Sequence, residues 1–279
     1  MTNPLEKAVD LDRPTSSLHQ DRMNACSRPW RTAAAIVCTA ILSVAAPPRG
    51  LAGSACPADP EMEALQLPHL RKALSTRTEG VIVALGSSST EGVMASDMAH
   101  SYPAVLQAAL NEALPAAHIA VLNRGIGGQD APEELARLET DVIAVRPQLV
   151  IWQVGANGAM RHADPVVFHH MVAEGVVQLR KAGIDVILMD NQRSPRVLAA
   201  VDHIILEDSL RDVAREAGVS LFSRSRLMDE WSEEGAKPGL FTASDGLHHN
   251  DLGYECVSQT LARQIVAAIE APVTVAASK

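Results

Sequence analysis

The sequence predicts an α/β domain of three layers, α/β/α, built on a parallel sheet of five strands. Three observations carry this expectation. Short apolar runs without polar alternation recur from residue 62 onward, as they do in strands buried on both faces. Longer amphipathic stretches separate them, which is the order of elements in a sheet covered by helices on both sides. The points where apolar runs stop are rich in Gly, Ser, Asn and His, and open parallel sheets bind ligands outside the carboxyl ends of their strands.

Taken in order, residues 81–85 form a continuous apolar strand ended by Gly86. Residues 101–114 place Tyr102, Val105, Leu106, Ala109, Leu110 and Ala113 at helical spacing. A second strand at 119–122 ends in a glycine cluster, a helix over 133–145 is stopped by Pro147, and 149–154 is the third strand. A helix over 165–182 closes at Gly183, a fourth strand follows at 185–189, and a helix over 197–217 closes at Gly218. A weak fifth strand at 219–222 leads into an irregular stretch rich in Gly, Pro, Ser and Asp, and a last helix covers about 252–269. There is no repeat and no internal linker, so one domain is expected over about residues 60–272.

Residues 1–55 read differently. A polar lead containing Pro4, Pro14 and Pro29 gives way to Arg28 and Arg31, an apolar run over 32–46, then Pro47-Pro48 and small residues. Basic flank, short apolar stretch and small-residue exit are the parts of a secretory signal peptide. The run is too short to span a bilayer, so an exported protein with no stable membrane span after cleavage is expected, periplasmic or secreted. Met23 would give a more ordinary signal start. Cys26 and Cys38 would leave with the signal, and the mature chain would keep Cys56 and Cys256. These could pair in an oxidising compartment or be unrelated thiols, because spacing does not reveal geometry.

Composition bounds the rest. Hydrophobic residues make up 47% of the chain but aromatics only 3%, so Ala, Val, Leu and Ile must build the core. A net charge of -9 speaks against a general nucleic-acid binder, which needs a basic face.

Four segments at the expected carboxyl ends carry chemistry. Gly86-Ser87-Ser88-Ser89-Thr90 offers hydroxyls after a buried strand. It is not the G-x-S-x-G elbow, since position 90 is Thr, nor a phosphate loop, since Val93 follows Gly92. Asn123-Arg124-Gly125-Ile126-Gly127-Gly128 does not give G-x-G-x-x-G; it is either a tight turn or a place where backbone N–H groups approach a substrate. Gly155-Ala156-Asn157-Gly158 is either a plain turn or a side-chain amide at the mouth of the third strand. Asp245 and His248 pair a base with the carboxylate that can hold its tautomer; by chemistry alone His249 competes evenly with His248. His169-His170 reads as surface, and no H-E-x-x-H or C-x-x-C suggests zinc.

These four blocks, in this order over about residues 80–265, resemble the SGNH hydrolases, also called the GDSL esterase/lipase superfamily. The resemblance implies a flavodoxin-like fold and makes Ser88 the nucleophile, with Asp245 and His248 completing a triad. It places the oxyanion hole at the Ser88 N–H, Gly128 and the Asn157 side chain, and it selects His248 over His249 by spacing. Two positions depart from the family pattern: Ser87 and Gly158 stand where it has Asp. Neither belongs to the triad.

The activity so implied is hydrolysis of small acyl esters, short-chain or acetyl, through an acyl-enzyme, without cofactor or metal. A small-molecule or glycan ester is the expected partner, with no nucleic acid. An acyltransferase using the same triad and a non-catalytic envelope binding protein on the same fold are the alternatives. No long apolar lid is evident. Trp231, Phe241 and Tyr102 are the candidate aromatic platforms at the edge of the site, and Asn191, Gln192 and Arg193 are expected to form a solvated loop, with leaving-group contact the alternative.

Overall fold

The computed structural model describes residues 56–271; the expected polar lead and signal peptide, with Cys26 and Cys38, lie outside the described residues. In chain order the elements begin with α1 (Pro68–Arg77), β1 (Glu79–Gly86), α2 (Ser88–Glu91), α3 (Tyr102–Ala113) and β2 (His118–Gly125). Next come α4 (Ala131–Ala136), α5 (Leu138–Asp141), β3 (Leu149–Gln153), α6 (Ala156–Met160) and α7 (Pro165–Lys181). The remainder is β4 (Asp185–Met189), α8 (Pro195–Leu198), α9 (His203–Ala217), β5 (Ser220–Phe222), α10 (Arg224–Glu233) and α11 (Asp251–Glu270).

All five strands are parallel, in the order β2-β1-β3-β4-β5, the flavodoxin-like arrangement. Alternate strand residues feed two cores. Ile82, Ala84, Leu149, Ile151, Ile187 and Met189 join the cluster with α3 and α11. Val83, Leu85, Val150, Trp152, Val186 and Leu188 join the one with α7 and α9. Trp152 fills its layer so closely that a Cβ at Gly175 of α7 would lie 2.5 Å from its ring. Register places the site: Gly86 pairs with Gly125, so the turns leaving β1 and β2 emerge side by side.

Three expectations are corrected. The single helix over 133–145 is broken into α4, α5 and one 3-10 turn, Ile143–Val145, with Arg146 at φ 55°. The helix over 197–217 is likewise divided, into α8 and α9. The irregular stretch after β5 contains α10, started by the Ser223 side chain accepting from Arg226 N and held down by Leu227, Met228 and Trp231.

Cys56 and Cys256, 200 positions apart in sequence, form a disulfide with Cα atoms 5.3 Å apart. This decides between the paired and unrelated thiols. Cross-linking a loop of that length restricts the unfolded chain by up to about 5 kcal/mol.

Candidate active site

The Gly86–Thr90 loop is shaped by what cannot be there. A Cβ at Gly86 would lie 2.3 Å from Thr90 Oγ1 and 2.8 Å from the Gln153 carbonyl, so β1 can turn sharply only on glycine. Thr90 N and Glu91 N then donate to Ser87 O at 3.0 and 2.9 Å, winding α2. Ser87, Ser89 and Thr90 are buried, whereas Ser88 is half-exposed. Of the four hydroxyls, Ser88 alone faces the mouth.

Asp245 and His248 come from the loop before α11. Asp245 Oδ1 accepts from Leu247 N and His248 N at 2.9 and 3.1 Å, and Oδ2 accepts from His248 Nδ1 at 2.5 Å. With its Nδ1 proton on that carboxylate, His248 has Nε2 free as an acceptor, 2.7 Å from Ser88 Oγ. Burial raises the Asp245 carboxyl, but the hydrogen bonds from the His248 ring and the two backbone N–H groups outweigh it and hold it below the usual carboxylate range. Asp245 is thus ionised at neutral pH.

His249, the competitor, is fully buried. Its Nδ1–H donates to Phe241 O at 3.0 Å. Burial first, then the Arg224 charge, pushes it down to about 3. It is a neutral core residue and does not reach Ser88.

The second block lies beside Ser88, and the third meets it at Gln129. Gly128 takes φ 79° in the turn after β2, and a Cβ at Gly127 would lie 3.9 Å from Ser88 Cβ. Gly155, at φ 114°, starts α6 and presents Asn157, whose Nδ2 donates to Gln129 O at 2.7 Å. The amide keeps a second N–H. The backbone N–H groups of Ser88 and Gly128 donate to no described group.

Among the described residues no three His, Cys, Asp or Glu side chains converge as metal ligands, and no helix is long and apolar enough to cross a membrane.

A profile of the non-GDSL lipase-like family matches residues 54–271. The chain belongs to that family. No curated protein matches its sequence. Among solved structures it is similar to a two-domain esterase active on acetylated mannans, at 20% identity and TM-score 0.64, over 77% of this chain and 57% of that one. The chain therefore spans little more than half the length of that protein. It is also similar to an acetylxylan esterase from Geobacillus stearothermophilus (19% identity, TM-score 0.56, 69% of this chain and 95% of that one). A lipase/acylhydrolase from Enterococcus faecalis gives 22% identity and TM-score 0.56, over 67% and 95% of the two chains. The SGNH superfamily, resembled by the four blocks, and the three-layer fold, read from the apolar runs and the helices between them, are borne out. The non-GDSL name suits a chain with Ser87 where the Asp of that motif would stand.

In this non-GDSL lipase-like chain two residues of the expected segments take supporting roles: Gln153, expected only as part of the third strand, and Asn123, expected as the start of the second block. Gln153, at the end of β3, accepts from Ser87 N, Ser87 Oγ and Thr90 Oγ1 at 3.2–3.4 Å. A polar residue closing an apolar strand was the available signal. Asn123 Nδ2 donates to Glu91 O at 3.2 Å and its Oδ1 accepts from Gly125 N at 2.9 Å, tying α2 to the neighbouring turn.

The segment after β4 is a correction. Asn191 and Gln192 are buried and are no solvated loop. Gln192 Nε2 donates to Leu247 O at 2.8 Å and its Oε1 accepts from the buried Arg224 at 2.8 Å. Arg193 is spent on Glu207 and Asp229, at 2.7 and 2.8 Å. The polar run thus underpins the His248 loop, because α10, absent from the expectation, supplies its partner Arg224. Trp231, Phe241 and Tyr102 are also corrected. All three are at most 1% exposed, buried by α10, α11 and α3, and cannot be platforms.

Proposed function

We propose that this protein is a serine esterase acting on short acyl esters, acetyl groups foremost, through Ser88, His248 and Asp245. The observation that carries the reading is the unbroken hydrogen-bonded line from Ser88 Oγ through His248 to Asp245, at 2.7 and 2.5 Å.

In this mechanism His248 Nε2 takes the Ser88 proton as Oγ bonds to the ester carbonyl carbon. The resulting oxyanion is received by the N–H groups of Ser88 and Gly128 and the free N–H of Asn157. Collapse breaks the ester C–O bond, and His248 returns the proton to the departing alcohol. Water, deprotonated by His248, then releases the acid and restores Ser88. Asp245, kept ionised, stabilises the imidazolium in both steps.

The acetylated mannans and acetylxylan of the similar structures support acetylated glycans as the substrate class. Every Phe, Tyr and Trp side chain among the described residues is at most 2% exposed, which favours recognition of the acyl group over stacking on sugar rings. The Cys56–Cys256 disulfide supports export after removal of a signal within residues 1–55, with residues 60–272 as the esterase domain.

Fluorophosphonate labelling of the purified protein, read by peptide mass spectrometry, tests this. Label on Ser88 that disappears in His248→Ala is expected, together with hydrolysis of 4-nitrophenyl acetate. A folded wild-type protein that takes no label would overturn the assignment.

A further inference from the structure

The turn that carries Gly128 is poorly held by its own backbone. Ile126 N donates to Gly86 O at 3.0 Å and Gln129 N to Ile126 O at 3.3 Å, and between them stand two glycines, the most flexible residues of the chain. Its geometry has to come from outside, and three side chains supply it. Asn157 Nδ2 holds the Gln129 carbonyl at 2.7 Å. Arg161, four residues after Asn157, donates through Nη2 to the Gly128 carbonyl at 2.7 Å. Arg137, just past α4, donates through Nε to Gln129 Oε1 at 2.6 Å and through Nη2 to Gly86 O at 3.0 Å. Its third bond, Nη1 to Asp141 Oδ2 at 2.8 Å, fixes the guanidinium in place.

We propose that Arg137 and Arg161 are positioning residues that clamp the Gly128–Gln129 turn from two sides and so set the oxyanion hole. The inference rests on the esterase reading and deepens it. Arg137 joins the strand end that feeds Ser88 to the turn that carries Gly128. Arg161 joins that turn to the helix that carries Asn157. Each arginine therefore spans two of the three oxyanion donors, and neither approaches His248 or Asp245. The planar fork suits this role, since a single lysine ammonium cannot bond Gln129 and Gly86 in the same directions. Donors act on an oxyanion only when aimed at it within hydrogen-bond distance, and a displacement of about 1 Å can cost about 10²-fold.

The test is a kinetic panel on 4-nitrophenyl acetate with Arg137→Met, Arg161→Met, Arg161→Lys, Gln129→Met and the Arg137→Met/Gln129→Met double variant. Loss of a clamp is expected to lower kcat by about 10- to 100-fold with KM within about threefold. The pH midpoint of kcat/KM should stay where it is, because the Ser88–His248–Asp245 line is untouched. Arg161→Lys should recover most of the loss by reaching the same carbonyl. The double variant should be no slower than Arg137→Met, since both changes break one link. Should Arg137→Met not fold, Gln129→Met reads that link alone and leaves the other two bonds of Arg137 intact. Unchanged kcat, a loss confined to KM, a moved pH midpoint or multiplied losses in the double variant would each overturn the inference. Ser88→Ala separates the two ideas: if it hydrolyses like wild type the esterase reading has failed, whereas an inert Ser88→Ala beside fully active clamp variants sinks the clamp alone.

Discussion

Ser88, His248 and Asp245 make one half of the proposed site, and Gly128 and Asn157 the other, and the two are built on different plans. In the first half the line from Ser88 to Asp245 runs side chain to side chain and is already closed, at 2.7 and 2.5 Å, and two backbone N–H groups brace Asp245. Two of its three members lie within one short loop, whose carbonyls are fixed by Gln192 and by Arg196 N. In the second half the Gly128 N–H and the Asn157 amide come from two separate loops, and Arg137, Arg161 and Gln129 supply the bonds around the turn between them. A proton relay has to exist before substrate arrives. An oxyanion hole has only to be held ready, so its stiffness must come from groups that do no chemistry.

The largest effect should come from breaking the first half. Ser88→Ala and His248→Ala are each expected to lower kcat for 4-nitrophenyl acetate by about 10⁴-fold or more, and the double variant by no more than either, since the members act as a unit. The neighbour is the control. His249→Asn, which keeps a donor toward Phe241 O, should leave kcat within a few-fold and lower the melting temperature instead. Equal kinetic losses from the two histidines would erase the distinction between relay and core.

Breaking the second half should cost less. Asn157→Ala removes one oxyanion donor and should lower kcat by about 10²–10³-fold with little change in KM. A loss as large as that of Ser88→Ala would mean that Asn157 also shapes the nucleophile loop, and no loss would remove it from the hole.

The two halves also differed in how far the sequence disclosed them. Asp245 and His248 sit three residues apart, and the Gly86–Thr90 run follows an apolar strand, so the segments were legible by local pattern, but Ser88 among the hydroxyls was selected only by the resemblance. The choice of His248 over His249 needed the family spacing; the structure adds the physical reason, burial of His249 under Phe241. Gly128 and Asn157 were legible as positions, but their clamps were not. Arg137 lies inside what reads as one helix over 133–145, and its reach to Gly86 crosses 51 residues of sequence. Only the break between α4 and α5 makes that reach visible. The five strands were legible because they are buried on both faces. By contrast α1 buries a single side chain, Leu70, and leaves almost no periodicity to read. Asn191 and Gln192 misled for the opposite reason: their polarity suggested solvent, when their polar atoms were needed inside.

The smallest expected effect lies beneath the second half and concerns protons. Glu134 of α4 is fully buried between the helix-capping Asp130 and Arg137, and its Oε2 accepts from Trp152 Nε1 at 2.7 Å. Burial pushes its carboxyl up to about 8 despite that hydrogen bond, and the charge of Asp130 adds to the rise. From about 4.5, the ordinary value, to about 8 the folded protein keeps a proton that the unfolded chain has released. Stability must then fall as pH rises through that window. Glu134→Gln retains an oxygen for Trp152 and cannot ionise, so kcat should stay within about threefold while the variant gains in melting temperature over wild type from pH 5 to pH 8. Equal melting temperatures at every pH would show that Glu134 folds as a carboxylate. Its charge would then be offset by the nearby Arg137 guanidinium rather than removed by a proton.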